Sequence, residues 1–122
     1  MGLPPYLSGG RQEALEYIAW SGGKSREFEE VIITPYVMPT VLAALWAVTS
    51  FPASWSDAVA AVIGLGGDVD TLGAIVGGLM GARLGLAAIP NHLAASVLGS
   101  LRLRALAVRY AEVIKRDAVF GD

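Results

Sequence analysis

The 122-residue sequence predicts an all-α fold. Apolar residues recur at helical spacing in segments that are separated by short Gly, Pro and Ser turns. The run Val31-Ile32-Ile33-Thr34 has β propensity, but it is only four residues long and no partner strand is evident, so we interpret it as a connector. Hydrophobic residues make up 54% of the chain and charged residues 16%, which excludes intrinsic disorder. We expect a single compact multi-helix domain over residues 1–122.

Local signals predict where the helices begin and end. Pro39 is typical of a first helical position, and Ser54 with Asp57 three residues later resembles a capping box. Gly22-Gly23 and Gly66-Gly67 end the helices that precede them, and Ser100 is a candidate cap for the last helix. A further helical turn is possible over residues 25–30. The expected helices cover residues 11–21, 39–50, 58–65 and 70–85, a short segment after Pro90, and 100–117.

Composition also excludes several classes of function. The net charge of −2 argues against a protein that binds nucleic acid through non-specific phosphate contacts. With no cysteine and one histidine, the chain has no disulfide, thiolate-zinc or multi-histidine metal site of its own. The N-terminal residues lack the basic and apolar regions of a signal peptide. We therefore expect a cytoplasmic protein that does not bind nucleic acid.

Two uncharged stretches raise the question of a membrane span. Residues 31–56 are long enough to cross a bilayer, but Pro35, Pro39 and Pro52 divide them into a loop, a helix and a turn. Residues 84–101 are interrupted by Pro90 near their centre. Buried helices of an all-α core account for both stretches, so we expect no association with a membrane.

A line of glycines marks the fourth expected helix. Gly73, Gly77, Gly81 and Gly85 are each four residues apart and fall on one side of a helix. Each costs about 1 kcal/mol relative to alanine in a helix interior, so a compensating close approach of another helix or of a ligand is expected. We favour tight packing in the core over a ligand site or a membrane dimer face.

Oxygen-bearing side chains cluster at the start of the same helix. Asp68 and Asp70 are two residues apart, and the Thr71 hydroxyl follows. Hard oxygen ligands of this kind suit Mg²⁺ or a similar divalent ion, provided that the loop aims both carboxylates at one point. The structural alternative is that Asp70 or Thr71 caps the helix while Asp68 is a solvated turn residue.

The motif and its surroundings resemble a known family. The string Gly66-Gly67-Asp68-Val69-Asp70-Thr71, the glycine-dotted helix and the Ile89-Pro90 exit are together similar to the C-terminal signature of the ADP-ribosylglycohydrolase family. That family includes dinitrogenase reductase-activating glycohydrolase and crystallin-J1-like proteins. The resemblance covers about residues 35–114 and implies an all-α fold.

The resemblance also implies an activity and its residues. Members hydrolyse the N- or O-glycosidic bond of ADP-ribosylated side chains or related metabolites with a binuclear magnesium centre. Asp68, Asp70 and Thr71 correspond to metal ligands, with the two aspartates as catalytic residues and Gly67 and Tyr36 as substrate-binding candidates. The implied cofactor is Mg²⁺, with Mn²⁺ as an alternative, and the implied partner is an ADP-ribosylated protein or a small ADP-ribose-type ligand.

The sequence departs from the family pattern in one important respect. Family members carry an N-terminal motif with adjacent aspartates, whereas this chain has no adjacent aspartates and is much shorter. We therefore expect a truncated chain with an incomplete site, which a homo-oligomer or a complementing chain completes. A homodimer would bury the uncovered apolar surface, with the Gly73–Gly85 ridge or the Val41–Trp46 face at its seam. The alternative is a non-catalytic binding or assembly module derived from the same fold.

The remaining residues of note have structural interpretations. Trp20, Trp46 and Trp55 are expected to be core or interface anchors, and His92 a surface or capping residue. Basic residues on the last helix are expected to form a solvated face: Arg102, Arg104, Arg109, Lys115 and Arg116.

Overall fold

A computed structural model of the chain describes residues 10–22 and 32–117. These residues contain six α-helices and one short 3₁₀ turn, and no strand, so the expected all-α fold is confirmed. The helical turn considered for residues 25–30 lies outside the described residues. The helices are α1 (Gly10–Trp20), α2 (Val37–Ser50), α3 (Trp55–Ile63), α4 (Val69–Leu84), α5 (Asn91–Ser96) and α6 (Ser100–Asp117), with the 3₁₀ turn at Leu86–Ala88.

Two helix starts differ from the sequence prediction. Helix α2 begins at Val37 rather than at Pro39, with Tyr36 as the N-cap residue. Pro39 still lies in the first turn, where a backbone N–H has no partner within the helix, so its missing N–H costs nothing. One half of the capping box predicted for Ser54 and Asp57 is confirmed, because the Ser54 hydroxyl accepts a hydrogen bond of 3.1 Å from the backbone N–H of Asp57. The Ser54 N–H donates to the Phe51 carbonyl instead of to the Asp57 side chain. That cap starts α3 at Trp55, three residues earlier than expected.

The described structure divides into two units, Met1–Ile89 and Pro90–Asp122. The first holds the core, to which α4 contributes the fully buried Leu72, Val76 and Met80, spaced four residues apart. Around them lie the other buried apolar residues: Ala14, Ile18, Ile33, Ala43, Ala44, Trp46, Ala47, Ala58, Val62 and Leu65. In the second unit, the Ser100 hydroxyl donates to the carbonyl of Ala94 over 2.7 Å, and no described residue is buried.

The glycine ridge of α4 packs against neighbours from the same unit. A Cβ atom at Gly77 would lie 3.4 Å from the Trp55 ring, whose Nε1–H donates to the Gly77 carbonyl over 3.0 Å. Gly73 and Gly81 likewise face Ile63 and Ile89, at 3.8 and 3.9 Å. Gly73, Gly77 and Gly81 therefore serve close packing, as expected, but the groups that approach them are side chains rather than a second helix backbone. Gly85 does not share this role, because it is the C-cap residue of α4 with a φ of +86°, and an added Cβ atom would meet no other group within 4 Å.

The three tryptophans have different environments. Trp46 is buried and meets Phe51 edge-on, with ring centroids 6.1 Å apart, and Trp55 is half-buried against Gly77. Trp20 is 81% exposed, because it lies on the side of α1 opposite to Ala14 and Ile18. Only two of the three tryptophans therefore anchor the core.

The uncharged stretches do not form membrane spans in the described part of the chain. Among residues 10–22 and 32–117, no helix combines the length and the apolarity needed to cross a bilayer.

Candidate metal site at the start of helix α4

The loop that carries the motif is held by a single β-bridge. The Ile33 N–H donates to the Gly66 carbonyl over 2.9 Å, and the Asp68 N–H donates to the Ile33 carbonyl over 2.7 Å. Ile33 thereby forms an isolated parallel bridge with Gly67, and its own side chain is buried in the core. The connector that contains Ile33 pairs with no strand among residues 10–22 and 32–117, but it fixes the position of the motif.

Gly67 has a structural role in this loop. Its φ of +82° lies in the left-handed region, and a Cβ atom added there would collide with the carbonyl oxygen of Ile33. A side chain at this position would push apart the two segments that the bridge joins. The role of Gly67 in binding a substrate stays a prediction.

Asp68 and Thr71 are brought together by the first turn of α4. The Thr71 Oγ1–H donates to Asp68 Oδ1 over 3.0 Å. Asp68 is the N-cap residue of α4, but its side chain accepts no hydrogen bond from a helix N–H. The alternative in which Asp70 or Thr71 caps the helix is therefore wrong. Val69, between the two aspartates, is partly buried and packs against the core, which leaves both carboxylates on the solvent side.

Asp70 belongs to the same cluster. Its pKa is lowered from the ordinary value, first by a side-chain hydrogen bond with Asp68, and then by the backbone N–H groups of Thr71 and of Asp70 itself. The positive end of the α4 dipole also lowers the pKa of Asp70, because it stabilises negative charge. Asp70 is therefore a solvent-exposed side chain whose ionised form these hydrogen bonds favour.

The side chains of the cluster are suited to supply some of the ligands of a magnesium ion. Asp68, Asp70 and Thr71 offer hard oxygen atoms within one helical turn, which is the donor chemistry that Mg²⁺ prefers, and Mg²⁺ commonly keeps several water ligands. In the described ranges, no group of three or more His, Cys, Asp or Glu side chains could hold a metal ion. Two carboxylates at the positive end of a helix form a weak cation site unless further ligands join them.

The other candidate residues do not join the cluster through any described contact. The Tyr36 side chain is 58% exposed and lies against Gly22, where an added Cβ atom would be 3.3 Å from its Cδ1 atom. The Thr34 hydroxyl reinforces this contact by donating to the Gly22 carbonyl over 3.0 Å. His92 is exposed on α5, as expected. Tyr36 remains a predicted substrate contact only.

The comparison with protein families decides the ancestry of this site. The family model for ADP-ribosylglycohydrolase matches residues 7–119, which is most of the chain. The chain belongs to the ADP-ribosylglycohydrolase family. The match extends beyond residues 35–114, over which the resemblance was recognised, and membership indicates an ADP-ribosylglycohydrolase-like function. No curated protein and no solved structure matches the chain significantly.

Proposed function

We propose that this member of the ADP-ribosylglycohydrolase family carries one part of a Mg²⁺-dependent site that hydrolyses the N- or O-glycosidic bond of an ADP-ribosyl adduct. The observation that carries the proposal is the joint position of Asp68, Asp70 and Thr71 at the start of α4, within a match to the family over residues 7–119. Mn²⁺, which also prefers oxygen ligands, is an alternative ion.

The residues of this chain would act by binding and orientation. Asp68 and Asp70 would hold the ion, and Thr71 would keep Asp68 in position through its 3.0 Å hydrogen bond or join the ligand set. The chemistry that Mg²⁺ supplies when bound is the activation of a water nucleophile for attack at the anomeric carbon. The N-terminus of α4 also favours the negative charge of a diphosphate group on the substrate.

The site needs further ligands before it can turn over a substrate. The described residues offer two carboxylates in the motif, and the sequence contains no pair of adjacent aspartates. Charge neutralisation of two closely spaced divalent ions requires more negative charge than two carboxylates supply. A second copy of this chain would bring no adjacent aspartates either. We therefore infer that a complementing chain of different sequence completes the site.

A turnover assay tests the incomplete-site proposal. On an ADP-ribosylated protein with millimolar Mg²⁺, the isolated chain is expected to show no appreciable release of ADP-ribose, because part of the metal ligand set is missing. Robust activity that Asp70→Ala abolishes would show that this chain completes the site by itself and would contradict the proposal.

A non-catalytic module is the second candidate, and the small number of carboxylates in the motif favours it. Titration calorimetry with ADP-ribose separates the two functions. A partial catalytic site binds ADP-ribose more tightly with Mg²⁺ than without it, and Asp68→Asn with Asp70→Asn removes the difference. Binding that is indifferent to both Mg²⁺ and the substitutions favours the module.

A further inference from the structure

Helix α6 is amphipathic, and its apolar face is uncovered. Five apolar side chains lie within about 100° of the helix circumference. They are Leu103, Leu106, Tyr110, Val113 and Ile114. Each is between 42% and 69% exposed, so the described residues of its own unit do not bury this face. An apolar helix face normally packs on a core, and an uncovered one indicates a surface that binds a ligand or a partner.

Basic side chains border the apolar face of α6 on both of its edges. Arg102 and Arg109 lie along one edge, and Arg104 and Lys115 lie along the other, beyond a narrow strip of alanines. Their long apolar stems can lie against the edge of the face while their charged ends reach outward. The helix has five basic and two acidic residues, which gives it a net charge of +3.

The two acidic residues of α6 leave both edges positively charged. Glu112 lies on the opposite side of the helix, together with the apolar Leu101 and Val108, which are not part of the face. Asp117 is the last residue of the helix, and its carboxylate lies 3.5 Å from the Arg116 Nε atom. The apolar face of α6 is therefore flanked by cations along its length.

This arrangement favours a flat anionic surface over a groove in a partner protein. A plane meets both edges of the helix at once, whereas a groove would need carboxylates of its own along each edge. A helix that lies in a lipid interface places its apolar face among the acyl chains and its cations among the phosphate groups. Tyr110, near the centre of the face, has the amphipathic ring that is typical of this interface.

We propose that α6 binds the surface of an anionic phospholipid membrane, with its axis in the plane of the interface and its apolar face toward the acyl chains. The proposal goes beyond the site at the start of α4 and does not depend on it. The expectation of no membrane association concerned uncharged stretches that might span a bilayer. A helix with seven charged residues lies on the membrane instead of crossing it.

The net charge of −2 on the whole chain does not oppose this binding. Residues 90–122 contain five basic and three acidic residues, whereas residues 1–89 contain four basic and eight acidic ones. The acidic excess therefore lies outside the unit that contains α6. At physiological salt, the attraction between charges decays over about 8 Å, so the residues that contact the membrane dominate the interaction.

Vesicle flotation tests this proposal, because bound protein floats with the vesicles whereas aggregated protein sediments. The full chain is expected to float with phosphatidylcholine vesicles that contain about one-third phosphatidylserine, and not with vesicles of phosphatidylcholine alone. Raising the salt concentration should weaken the binding, because salt screens the attraction between the basic edges and the lipid phosphates.

A substitution on the apolar face tests which side of α6 meets the lipid. Leu106→Asp is expected to lower the partition coefficient into phosphatidylserine vesicles about tenfold or more, because a carboxylate would have to enter the apolar layer. Leu101→Asp makes the same change on the opposite side of the helix, so it is the matched control and should have a much smaller effect.

A second pair of variants tests the basic edges. Arg102→Gln with Arg104→Gln removes one cation from each edge and should also lower the partition coefficient about tenfold or more. Arg11→Gln with Arg83→Gln removes the same charge outside α6 and should have little effect. Circular dichroism of each variant without vesicles should retain the wild-type helical signal, because all of these side chains are exposed.

Three results would overturn the proposal. The first is a chain that does not float with phosphatidylserine vesicles. The second is flotation that is equal for the two kinds of vesicle or that Leu106→Asp and Leu101→Asp reduce to the same extent. The third is a chain that does not float but forms a dimer in sedimentation velocity that Leu106→Asp dissociates, which would assign the apolar face of α6 to a second copy of the chain.

Discussion

Gly67→Ala is expected to lower the free energy of unfolding by about 3 kcal/mol, as measured by urea denaturation followed by far-UV circular dichroism. A left-handed backbone conformation costs a non-glycine residue about 1–2 kcal/mol, and Gly67 has a φ of +82°. The larger effect comes from the collision between the new Cβ atom and the Ile33 carbonyl oxygen. Relieving that collision breaks the 2.7 Å hydrogen bond between the Asp68 N–H and Ile33 and displaces the start of α4.

Gly66→Ala is the matched control for this substitution. Gly66 has nearly the same φ, +78°, but a Cβ atom there would meet only the Ile32 Cγ2 atom at 4.0 Å. Gly66→Ala is therefore expected to lower the free energy of unfolding by only about 1–2 kcal/mol, which is the cost of the left-handed backbone conformation. Equal losses for the two substitutions would show that the Ile33–Gly67 bridge does not constrain the motif.

Leu72→Ala is expected to have an effect of similar size, a loss of about 2–5 kcal/mol in the free energy of unfolding. Leu72 directly follows Thr71 and is fully buried, so it fixes the first turn of α4 against the core. Its truncation removes apolar contact and leaves a cavity beneath the Asp68–Thr71 motif. The measurement is again the midpoint of urea unfolding, with the slope of the transition as a check on two-state behaviour.

Leu79→Ala on the same helix is the control for the Leu72 substitution. Leu79 is 48% exposed, so the same change of side chain is expected to alter the free energy of unfolding by only about 0.5 kcal/mol. If Leu79→Ala were as destabilising as Leu72→Ala, the assignment of the buried face of α4 would be wrong.

Periodicity and capping signals were sufficient to predict most of the helices. The apolar face of α1 and the pairing of Ser54 with Asp57 follow from spacing alone, because these interactions join residues within one or two helical turns. The proximity of Asp68, Asp70 and Thr71 was predictable for the same reason. Local physics therefore accounts for the helical framework and for the composition of the site. The buried face of α4 does not follow from spacing, because apolar residues lie around the whole of that helix.

The interactions that position the site join residues that are far apart in the sequence. The sequence therefore contains only weak signals for them. The Ile33–Gly67 bridge joins segments more than thirty residues apart, and its only sequence signal was the β propensity of the run that contains Ile33. The N-cap residue of α4 is Asp68 rather than Asp70 or Thr71, because the bridge fixes the loop immediately before the helix. Such pairings depend on the packed core, so neither the period of apolar residues nor a capping rule reveals them.

Mn²⁺ titration followed by electron paramagnetic resonance measures directly whether the Asp68–Thr71 motif binds a divalent ion. We expect one weak Mn²⁺ site per chain, which is lost in Asp68→Asn with Asp70→Asn and retained in the control Glu112→Gln with Asp117→Asn. The helical signal in circular dichroism should persist in both variants, since asparagine also serves as an N-cap residue. Identical Mn²⁺ binding by the wild-type chain and the Asp68→Asn, Asp70→Asn variant would show that these two carboxylates do not bind the ion.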